Sequence, residues 1–290
     1  MFPTLYEIAG EPLPAYFTLL VVGFALATFL GARQATLLGQ DREVMIDLGL
    51  FSLIWGVIGG RVLHVLADGY FWDYVNVCID PSKVAWHITQ SQCRQAEGLW
   101  DAAANVCRPA ERNCFAWAEF WKGGLAYYGG LIGGLLGGVW LLRRDRFPVL
   151  LGSDIAGAGI ALGLFFGRMG CFFGGCCFGV HTDHAFGLSF PPWSPASESQ
   201  WRAGELAQPS MPSLPVHPTQ LYEAIGCLVI AGLAYFVIGR YKRFHGQVIL
   251  SVLALYSALR FGLEFLRADD RGGVLGLSTS QIISVLIVIA

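Results

Sequence analysis

The chain has 290 residues, of which 54% are hydrophobic and only 14% are charged, and its formal net charge is -2. A soluble domain of this length carries more charge, so the composition excludes that class and indicates an all-α, polytopic membrane protein. The near-neutral charge and the lack of a long basic run argue against a nucleic-acid partner.

Seven apolar segments approach the length of about 20 residues that a helix needs to cross a bilayer. They predict one integral membrane domain over residues 1–290, a bundle of about seven transmembrane helices with exoplasmic loops. The start of the sequence lacks the basic region of a cleavable signal peptide. The segments are Leu13 to Leu30, Met45 to Ala67, Gly123 to Leu142, Val149 to Phe166, Gln220 to Ile238, Val248 to Leu266 and Ser278 to the end.

Basic residues are concentrated in three short connections between these spans. Under a seven-span count all three connections lie on one side of the membrane, and the positive-inside rule predicts that this side is cytoplasmic. The N-terminus and the connections 68–122 and 168–217 are then exoplasmic. The basic residues are Arg33, Arg42, Arg143, Arg144, Arg146, Arg240, Lys242 and Arg243.

The connection 68–122 contains Cys78, Cys93, Cys107 and Cys114. An even number of cysteines in an exoplasmic loop predicts two disulfides, and three pairings are open. A zinc site is the alternative, but these cysteines are spaced too widely for the close pairs of structural zinc sites. We therefore expect this connection to form a cap over the outer face of the helix bundle that two disulfides stabilise.

Ionisable residues also occur within the apolar spans, where they are costly and usually functional. Tyr256, Arg260 and Glu264 are spaced by four in the sixth span, which aligns them along one helix face. A self-neutralising pair of Arg260 with Glu264 is the structural alternative. Arg61, late in the second span, is either functional or extended toward the nearer membrane surface.

The third span begins with YYGGLIGG, in which Tyr127 and Tyr128 precede glycine doublets. The glycines favour close helix packing. The two tyrosines fall near the outer interface, where tyrosine is a common anchor and where a phenol could also reach a lipid headgroup.

The stretch GRMGCFFGGCCFG, residues 167–179, follows the fourth span. A charge such as that of Arg168 at the membrane edge requires an anion or a water-filled cavity, and the glycines let a headgroup approach the backbone. We therefore expect the turn to bind a lipid phosphate. In an oxidising compartment we expect one disulfide from Cys171 to either Cys176 or Cys177, with one thiol left free.

The fifth span begins at HPTQLYE, where Pro218 favours a helix start with His217 at the cap. Glu223 is favoured there by the helix dipole alone. Together with His217 and Gln220, however, it forms a polar cluster at the depth of Arg168, which predicts a lined cavity.

Five of these motifs together resemble one family. GGRVLHVL, YYGGLIGG, GRMGCFFGG, HPTQLYE and YSALRFGLEFLR stand in the order of the motifs of bacterial prolipoprotein diacylglyceryl transferases. The resemblance implies a seven-helix inner-membrane fold with an outward-facing site and neither a cofactor nor a metal. It also implies transfer of diacylglyceryl from phosphatidylglycerol to the lipobox cysteine thiol of a preprolipoprotein, with release of glycerol 1-phosphate.

The resemblance also implies roles for single residues. Arg168 matches the signature arginine that binds phosphatidylglycerol, and Arg260 matches an essential arginine. Tyr256 and Glu264 stand beside Arg260, and Arg61 is a weaker binding candidate. The cluster that matches the family's HPSQLYE motif comprises His217, Gln220 and Glu223.

Three positions depart from the family pattern. Tyr128 replaces a histidine, Cys171 an asparagine and Cys176 a glutamate, and the four-cysteine loop is an insertion. A histidine accepts a proton near neutral pH, whereas a phenol ordinarily keeps its proton until about pH 10. Tyr128 would therefore need a neighbouring arginine to act as the base that the acceptor thiol requires.

Two functions remain open from the sequence. The first is a diacylglyceryl transferase for lipoproteins or for a variant cysteine-bearing acceptor. The second is a non-catalytic or redox-active membrane protein that keeps the lipid-binding bundle and uses the GCC turn for disulfide chemistry.

Overall fold

The computed structural model describes residues 4–8, 11–88, 90–95, 97–120, 124–268, 273–274 and 277–289. Helices dominate. The longer ones are α1 Ala15–Leu37, α2 Arg42–Ala67, α5 Tyr127–Arg144, α6 Val149–Gly174, α8 Thr219–Gly232, α10 Gln247–Glu264 and α11 Thr279–Ile289. Short elements are α3 Phe71–Ile79, α4 Gln90–Gln95, α7 Pro195–Arg202, α9 Gly239–Tyr241 and the strand pairs β1 Thr4–Ile8 with β2 Glu11–Pro14, β3 Leu99–Asp101 with β4 Val106–Arg108, and β5 Gly273–Val274 with β6 Leu277–Ser278.

In the part of the chain that the structure describes, five helices are long and apolar enough to cross a membrane: α1, α2, α6, α10 and the continuous helix Thr219–Tyr241. They confirm an all-α, polytopic membrane protein. Of the other two predicted spans, α5 has 18 residues and is rich in glycine, while α11 is an apolar helix of 11 residues. Many large apolar side chains on the spans face outward, among them Phe17, Val21 and Ile54, as a lipid-facing surface requires.

The chain divides into two compact units, one of residues 1–46 with 147–290 and one of residues 47–146. The prediction of one integral domain stays a prediction. In the first unit α1 and α6 pack antiparallel at small residues. A Cβ added to Gly23 would lie 2.7 Å from Phe166 Cβ, and one added to Gly170 would lie 2.9 Å from the ring of Tyr16. The end of α6 therefore lies beside the start of α1.

A buried carboxylate joins the starts of α6 and α10. Asp154, which is 2% exposed, accepts hydrogen bonds from the backbone N–H groups of Gly246, Val248 and Ile249 at 2.9 to 3.1 Å. Lys242 Nζ pairs with the same carboxylate at 2.9 Å. The first N–H groups of a helix have no partner within the helix, so Asp154 caps α10 from a neighbouring helix.

The cap of the fifth predicted span lies one residue later than the sequence analysis placed it. Pro218 is the N-cap residue and α8 begins at Thr219, so the prediction that His217 caps the helix is wrong. Pro218 has no N–H and a fixed φ, which suits it to this boundary. After Gly232 the helix widens into a π-helical stretch, Leu233–Ile238, before α9.

In the second unit, glycines let α2 and α5 approach until their backbones touch. A Cβ added to Gly59 would collide with the backbone at Gly129, and one added to Gly129 would collide with the backbone at Gly59. Gly133 meets the carbonyl of Trp55 in the same way. The prediction that the glycine doublets serve close helix packing is confirmed.

The loop after α2 in this unit contains two disulfides, Cys78–Cys114 and Cys93–Cys107. This is one of the three pairings that the sequence left open. All four sulfurs are used in disulfides, so the zinc alternative fails. The Cys93–Cys107 bond fastens α4 to β4, which pairs with β3 as a hairpin.

Candidate functional site

The guanidinium of Arg168, in the last two turns of α6, reaches the buried carboxylate of Glu223 on α8. Arg168 Nε lies 3.0 Å from Glu223 Oε2, and the Glu223 side chain is 1% exposed. A buried carboxylate is stable only if other groups compensate its charge, so this ion pair ties the end of α6 to the first turns of α8.

Two further groups converge on Glu223. The hydroxyl of Tyr256, on α10, donates to Glu223 Oε1 at 2.9 Å. Arg267 follows α10, and its Nη1 lies 4.0 Å from Glu223 Oε2. Two guanidinium groups therefore converge on one buried carboxylate. Such a site suits an anion with several oxygens.

Arg260 lies one turn after Tyr256 on α10. Its Nη2 is 2.8 Å from Glu264 Oε2, and both side chains are 8% exposed, so the ion pair along the helix exists. The two groups are not aligned as a hydrogen bond, however, and within the described ranges neither Nη1 nor Nη2 of Arg260 has a hydrogen-bond partner. A buried guanidinium with unused donors can accept a further anion.

The turn after α6 is held from α8 through two backbone carbonyls. Gln220 Nε2 donates to the carbonyl of Cys176 at 2.7 Å, and Thr219 Oγ1 donates to the carbonyl of Cys177 at 2.8 Å. Both donors are 1% exposed. Cys177 has φ 62°, and Gly175 has φ 70°. A cysteine in the left-handed region is strained, and these two hydrogen bonds keep it there.

The three cysteines of this turn form a cluster, which we call the thiol cluster: Cys171, Cys176 and Cys177. Their sulfurs lie within 4.8 Å of one another, and all three are free and partly exposed. The predicted disulfide from Cys171 is wrong in this structure: all three thiols are free, in a turn whose backbone carbonyls at Cys176 and Cys177 are held by α8. Hydrogen bonds from the thiols of Cys171 and Cys176 lower the pKa of the Cys177 thiol below its usual range, and the guanidinium of Arg267 lowers it further.

His217 is not brought to Glu223. Its main chain pairs with the segment after the thiol cluster, since its N–H donates to the carbonyl of Val180 at 3.0 Å. Its ring lies 3.4 Å from the hydroxyl of Tyr222, measured from Nδ1, and stands beside the ring of His184. It lines a separate shallow cleft with residues 181–184.

Arg61, in the second unit, donates hydrogen bonds to three main-chain carbonyls. Its Nε donates to Trp117 at 2.6 Å, its Nη2 to Ala116 at 2.7 Å and its Nη1 to Gly124 at 3.1 Å. The guanidinium also stacks over the ring of Tyr74. This geometry favours a role in fastening the cysteine-containing loop, and the predicted role in substrate binding stays a prediction.

Tyr128 lies at the start of α5 in the same unit as Arg61. Its side chain is 54% exposed, and its ring packs edge-to-face on that of Tyr127 at 5.6 Å between centroids. It is accessible at the position where the resemblance expects a histidine. Its role as a base stays a prediction.

Two contributors were missed as site residues by the sequence analysis. Arg267 follows Glu264 at a spacing of three, and this spacing on a helix face was its available signal. Thr219 carries no comparable signal, because only the tertiary fold brings its hydroxyl to the carbonyl of Cys177. The partners of both residues lie far away along the chain.

The fold and the site define a class: a polytopic helical membrane protein in which arginines gather around a buried carboxylate beside a thiol-bearing turn. The chain belongs to the prolipoprotein diacylglyceryl transferase family, whose model matches residues 3–92 and 105–290. It is similar to phosphatidylglycerol–prolipoprotein diacylglyceryl transferase 2 of Clostridium perfringens, with 28% identity over 98% of this chain and 91% of the relative. It is also similar to the phosphatidylglycerol–prolipoprotein diacylglyceryl transferases of Clostridium tetani, with 26% identity over 100% of this chain and 94% of the relative, and of Corynebacterium diphtheriae, with 28% identity over 98% and 87%.

The family match leaves out residues 93–104, within the loop predicted as an insertion. The Cys93–Cys107 disulfide closes this segment at its base. A disulfide of this kind stabilises a short chain segment that has no hydrophobic core of its own. The wider insertion over residues 68–122 stays a prediction.

Proposed function

We propose that this protein transfers diacylglyceryl from phosphatidylglycerol to a cysteine thiol of a preprolipoprotein-type acceptor. The observation that carries the proposal is the sharing of one buried carboxylate, Glu223, by the guanidinium groups of Arg168 and Arg267. Membership of the family, and the transferase activity for which the similar proteins are named, favour this function over a non-catalytic or redox role.

In this proposal Arg168 and Arg260 bind the phosphate of phosphatidylglycerol. A guanidinium offers parallel N–H donors that match two phosphate oxygens. Arg260 is buried with unused donors, and the guanidinium of Arg168 is held in place by the buried carboxylate of Glu223. Glu264 holds Arg260 in the same way.

The reaction forms one carbon–sulfur bond and breaks one carbon–oxygen bond. The acceptor sulfur, as thiolate, attacks the glycerol carbon that carries the phosphate ester. The electron pair of the broken bond goes to the phosphate oxygen, and glycerol 1-phosphate leaves. Cationic groups beside that phosphate stabilise the charge that develops in the transition state. Tyr256, which donates to Glu223, keeps that carboxylate in place.

Tyr128 is the proposed proton acceptor at the position of the family histidine. Its exposure gives it access to an acceptor peptide. Gln220 and His217 shape the surroundings, Gln220 by holding the turn at Cys176 and His217 by pairing with Val180. Arg61 contributes to the site indirectly, because its guanidinium holds the cysteine-containing loop in place.

We place the site at the outer face of the bacterial inner membrane, with the N-terminus exoplasmic. Support comes from the first unit. Near its first turns α6 bears Asp154, which pairs with the basic-loop residue Lys242, and near its other end it bears Arg168. By the positive-inside rule the basic end is cytoplasmic, so the Arg168 end is exoplasmic.

Labelled phosphatidylglycerol and a lipobox peptide test the proposal. Purified protein in detergent with lipid should attach the labelled diacylglyceryl group to the cysteine peptide and release glycerol 1-phosphate. A peptide with serine in place of the cysteine should remain unlabelled. Absence of labelled peptide with protein that is folded would contradict a transferase function.

A further inference from the structure

The thiol cluster has no role in the phosphate chemistry described above, yet the fold constrains it closely. Three thiols lie within 4.8 Å of one another, in a turn that places Cys177 at a strained φ of 62°. Buried Thr219 and Gln220 hold that conformation. Strain that the surrounding structure maintains occurs mainly at functional sites.

We infer that Cys171, Cys176 and Cys177 bind one Zn²⁺ ion, whose open fourth position binds the acceptor thiol and holds it as a thiolate. The inference rests on the proposed function and deepens it, because it assigns the activation of the acceptor. It also assigns a metal where the sequence predicted none.

The donor set fits zinc. Three protein ligands with the fourth position open to water or substrate are the arrangement of catalytic zinc sites, whereas structural sites use four protein ligands. Zn–S bonds of about 2.3 Å in a tetrahedron bring ligand sulfurs to about 3.8 Å from one another, so side-chain rotation within the observed cluster suffices. The three cysteines are partly exposed, which leaves room for the acceptor.

Neighbouring charges also fit this assignment. Zn²⁺ with three thiolates has a net charge of -1, and an acceptor thiolate adds another negative charge. Arg168 lies three residues before Cys171 on one helix face, and Arg267 interacts with the thiol of Cys177. These two guanidinium groups offset the negative charge, and Arg168 is also one of the two arginines proposed to bind the phosphate.

The chemistry then balances without a redox step. The acceptor thiol coordinates zinc and releases its proton to solvent, because a coordinating thiol is deprotonated outright. The bound sulfur forms a bond to the glycerol carbon, the carbon–oxygen bond to phosphate breaks, and its electron pair leaves with glycerol 1-phosphate. The thioether product is neutral and a weaker ligand, so it dissociates. Zinc coordination removes the thiol proton without a protein base, so in this site the metal takes over the role that is proposed above for Tyr128.

Co²⁺, whose absorption reports thiolate ligands, tests the site on the purified, reduced full chain. Wild-type protein should bind one Co²⁺ that Zn²⁺ displaces. Cys171→Ser and Cys176→Ser should each weaken Co²⁺ binding at least tenfold. Cys227→Ala is the matched control, since Cys227 is a buried free cysteine outside the cluster, and it should bind as the wild type does. Equal thermal unfolding of the variants would establish that they are folded.

The lipobox peptide tests the fourth position. It should change the Co²⁺ spectrum toward that of a four-thiolate site, while the serine peptide should not. Removal of the metal should abolish transfer, and Zn²⁺ should restore it. Absence of Co²⁺ binding by reduced wild-type protein, or a disulfide within the cluster in protein isolated without reductant, would overturn the zinc site.

The two proposals fail in different ways. Full transfer by metal-free protein would overturn the zinc inference and leave the transferase function standing. A zinc site that binds the peptide thiol, in a folded protein that never transfers label from phosphatidylglycerol, would overturn the transferase function instead.

Discussion

Arg168 Nε lies 3.0 Å from Glu223 Oε2, and this ion pair connects α6 to α8 through a carboxylate that is 1% exposed. The same oxygen is 4.0 Å from Arg267 Nη1. One buried carboxylate therefore lies against the partly buried guanidinium of Arg168 and the buried guanidinium of Arg267, so its removal should affect both stability and activity.

We expect Glu223→Ala to lower the free energy of unfolding by about 3 to 5 kcal/mol, because it removes the buried anion that pairs with Arg168 and lies beside Arg267. Glu198→Ala is the control: Glu198 pairs with Arg202 at 3.5 Å on the surface, where a pair contributes about 0 to 1 kcal/mol. Unfolding of both variants in detergent checks this. Equal stability of the two would show that Glu223 is not the centre of the cluster.

Arg168→Lys and Arg260→Lys should each reduce transfer at least tenfold while the protein remains folded in the membrane. Lysine keeps the charge but lacks the planar fork that contacts two phosphate oxygens. Arg202→Lys, at an exposed position of α7, should retain wild-type transfer. Rates with labelled phosphatidylglycerol decide the matter, and near-wild-type rates for both lysine variants would make the two arginines structural.

Arg61→Lys should destabilise the second unit by about 2 kcal/mol, since one ammonium group cannot replace hydrogen bonds to three carbonyls. Limited proteolysis of the loop and thermal unfolding are the measurements. Arg112→Lys, an exposed change in the same loop, serves as the control. Unchanged stability with lost transfer would instead support the role in substrate binding that the sequence predicted.

Gly59→Ala should lower stability by about 1 to 3 kcal/mol, because the new Cβ meets the backbone at Gly129 and forces α2 away from α5. Gly163→Ala is the matched control: among the described residues, no atom from a neighbouring helix lies within 4 Å of its added Cβ, and alanine favours the helix by about 1 kcal/mol. Thermal unfolding of the two variants should shift in opposite directions. Tolerance of alanine at Gly59 would argue against the close packing of the two helices.

A cysteine introduced by Asp145→Cys, beside Arg144, should react with maleimide only from the cytoplasm. Three basic connections place this loop inside under the positive-inside rule. An impermeant maleimide added to intact cells should leave position 145 unmodified, whereas the same reagent should label it in permeabilised cells. Peptide mass spectrometry measures the labelling. Labelling of intact cells would reverse the orientation and move the proposed site to the other face.

The helical spans were largely predictable because apolar runs of the right length have few other stable arrangements. The predicted second span ends at Ala67, as α2 does, whereas α1 continues from the predicted Leu30 to Leu37. The last two turns of α1 include Arg33 and Gln34, and polar residues weaken an apolar pattern without ending a helix.

Part of the site was also predictable. Charged residues within or beside apolar spans indicate function, and this rule pointed to Arg168, Glu223 and Arg260 from the sequence alone. Spacing along a helix placed Tyr256, Arg260 and Glu264 on one face. Spacing does not report which of these groups meets a partner from another helix, so the contact of Tyr256 with Glu223 could not be predicted.

The sequence by itself determined the class of the protein, the spans and the polar positions, because composition and periodicity follow from the local chain. Only the tertiary structure decided that the four loop cysteines pair as they do, that Arg61 contacts main-chain carbonyls and that the thiols of Cys171, Cys176 and Cys177 stand free. Each of these depends on hydrogen bonds or covalent bonds between segments far apart in the chain, whose distances no local pattern fixes. The turn that holds the thiol cluster is the clearest case, since Thr219 and Gln220 impose its conformation from more than 40 residues away.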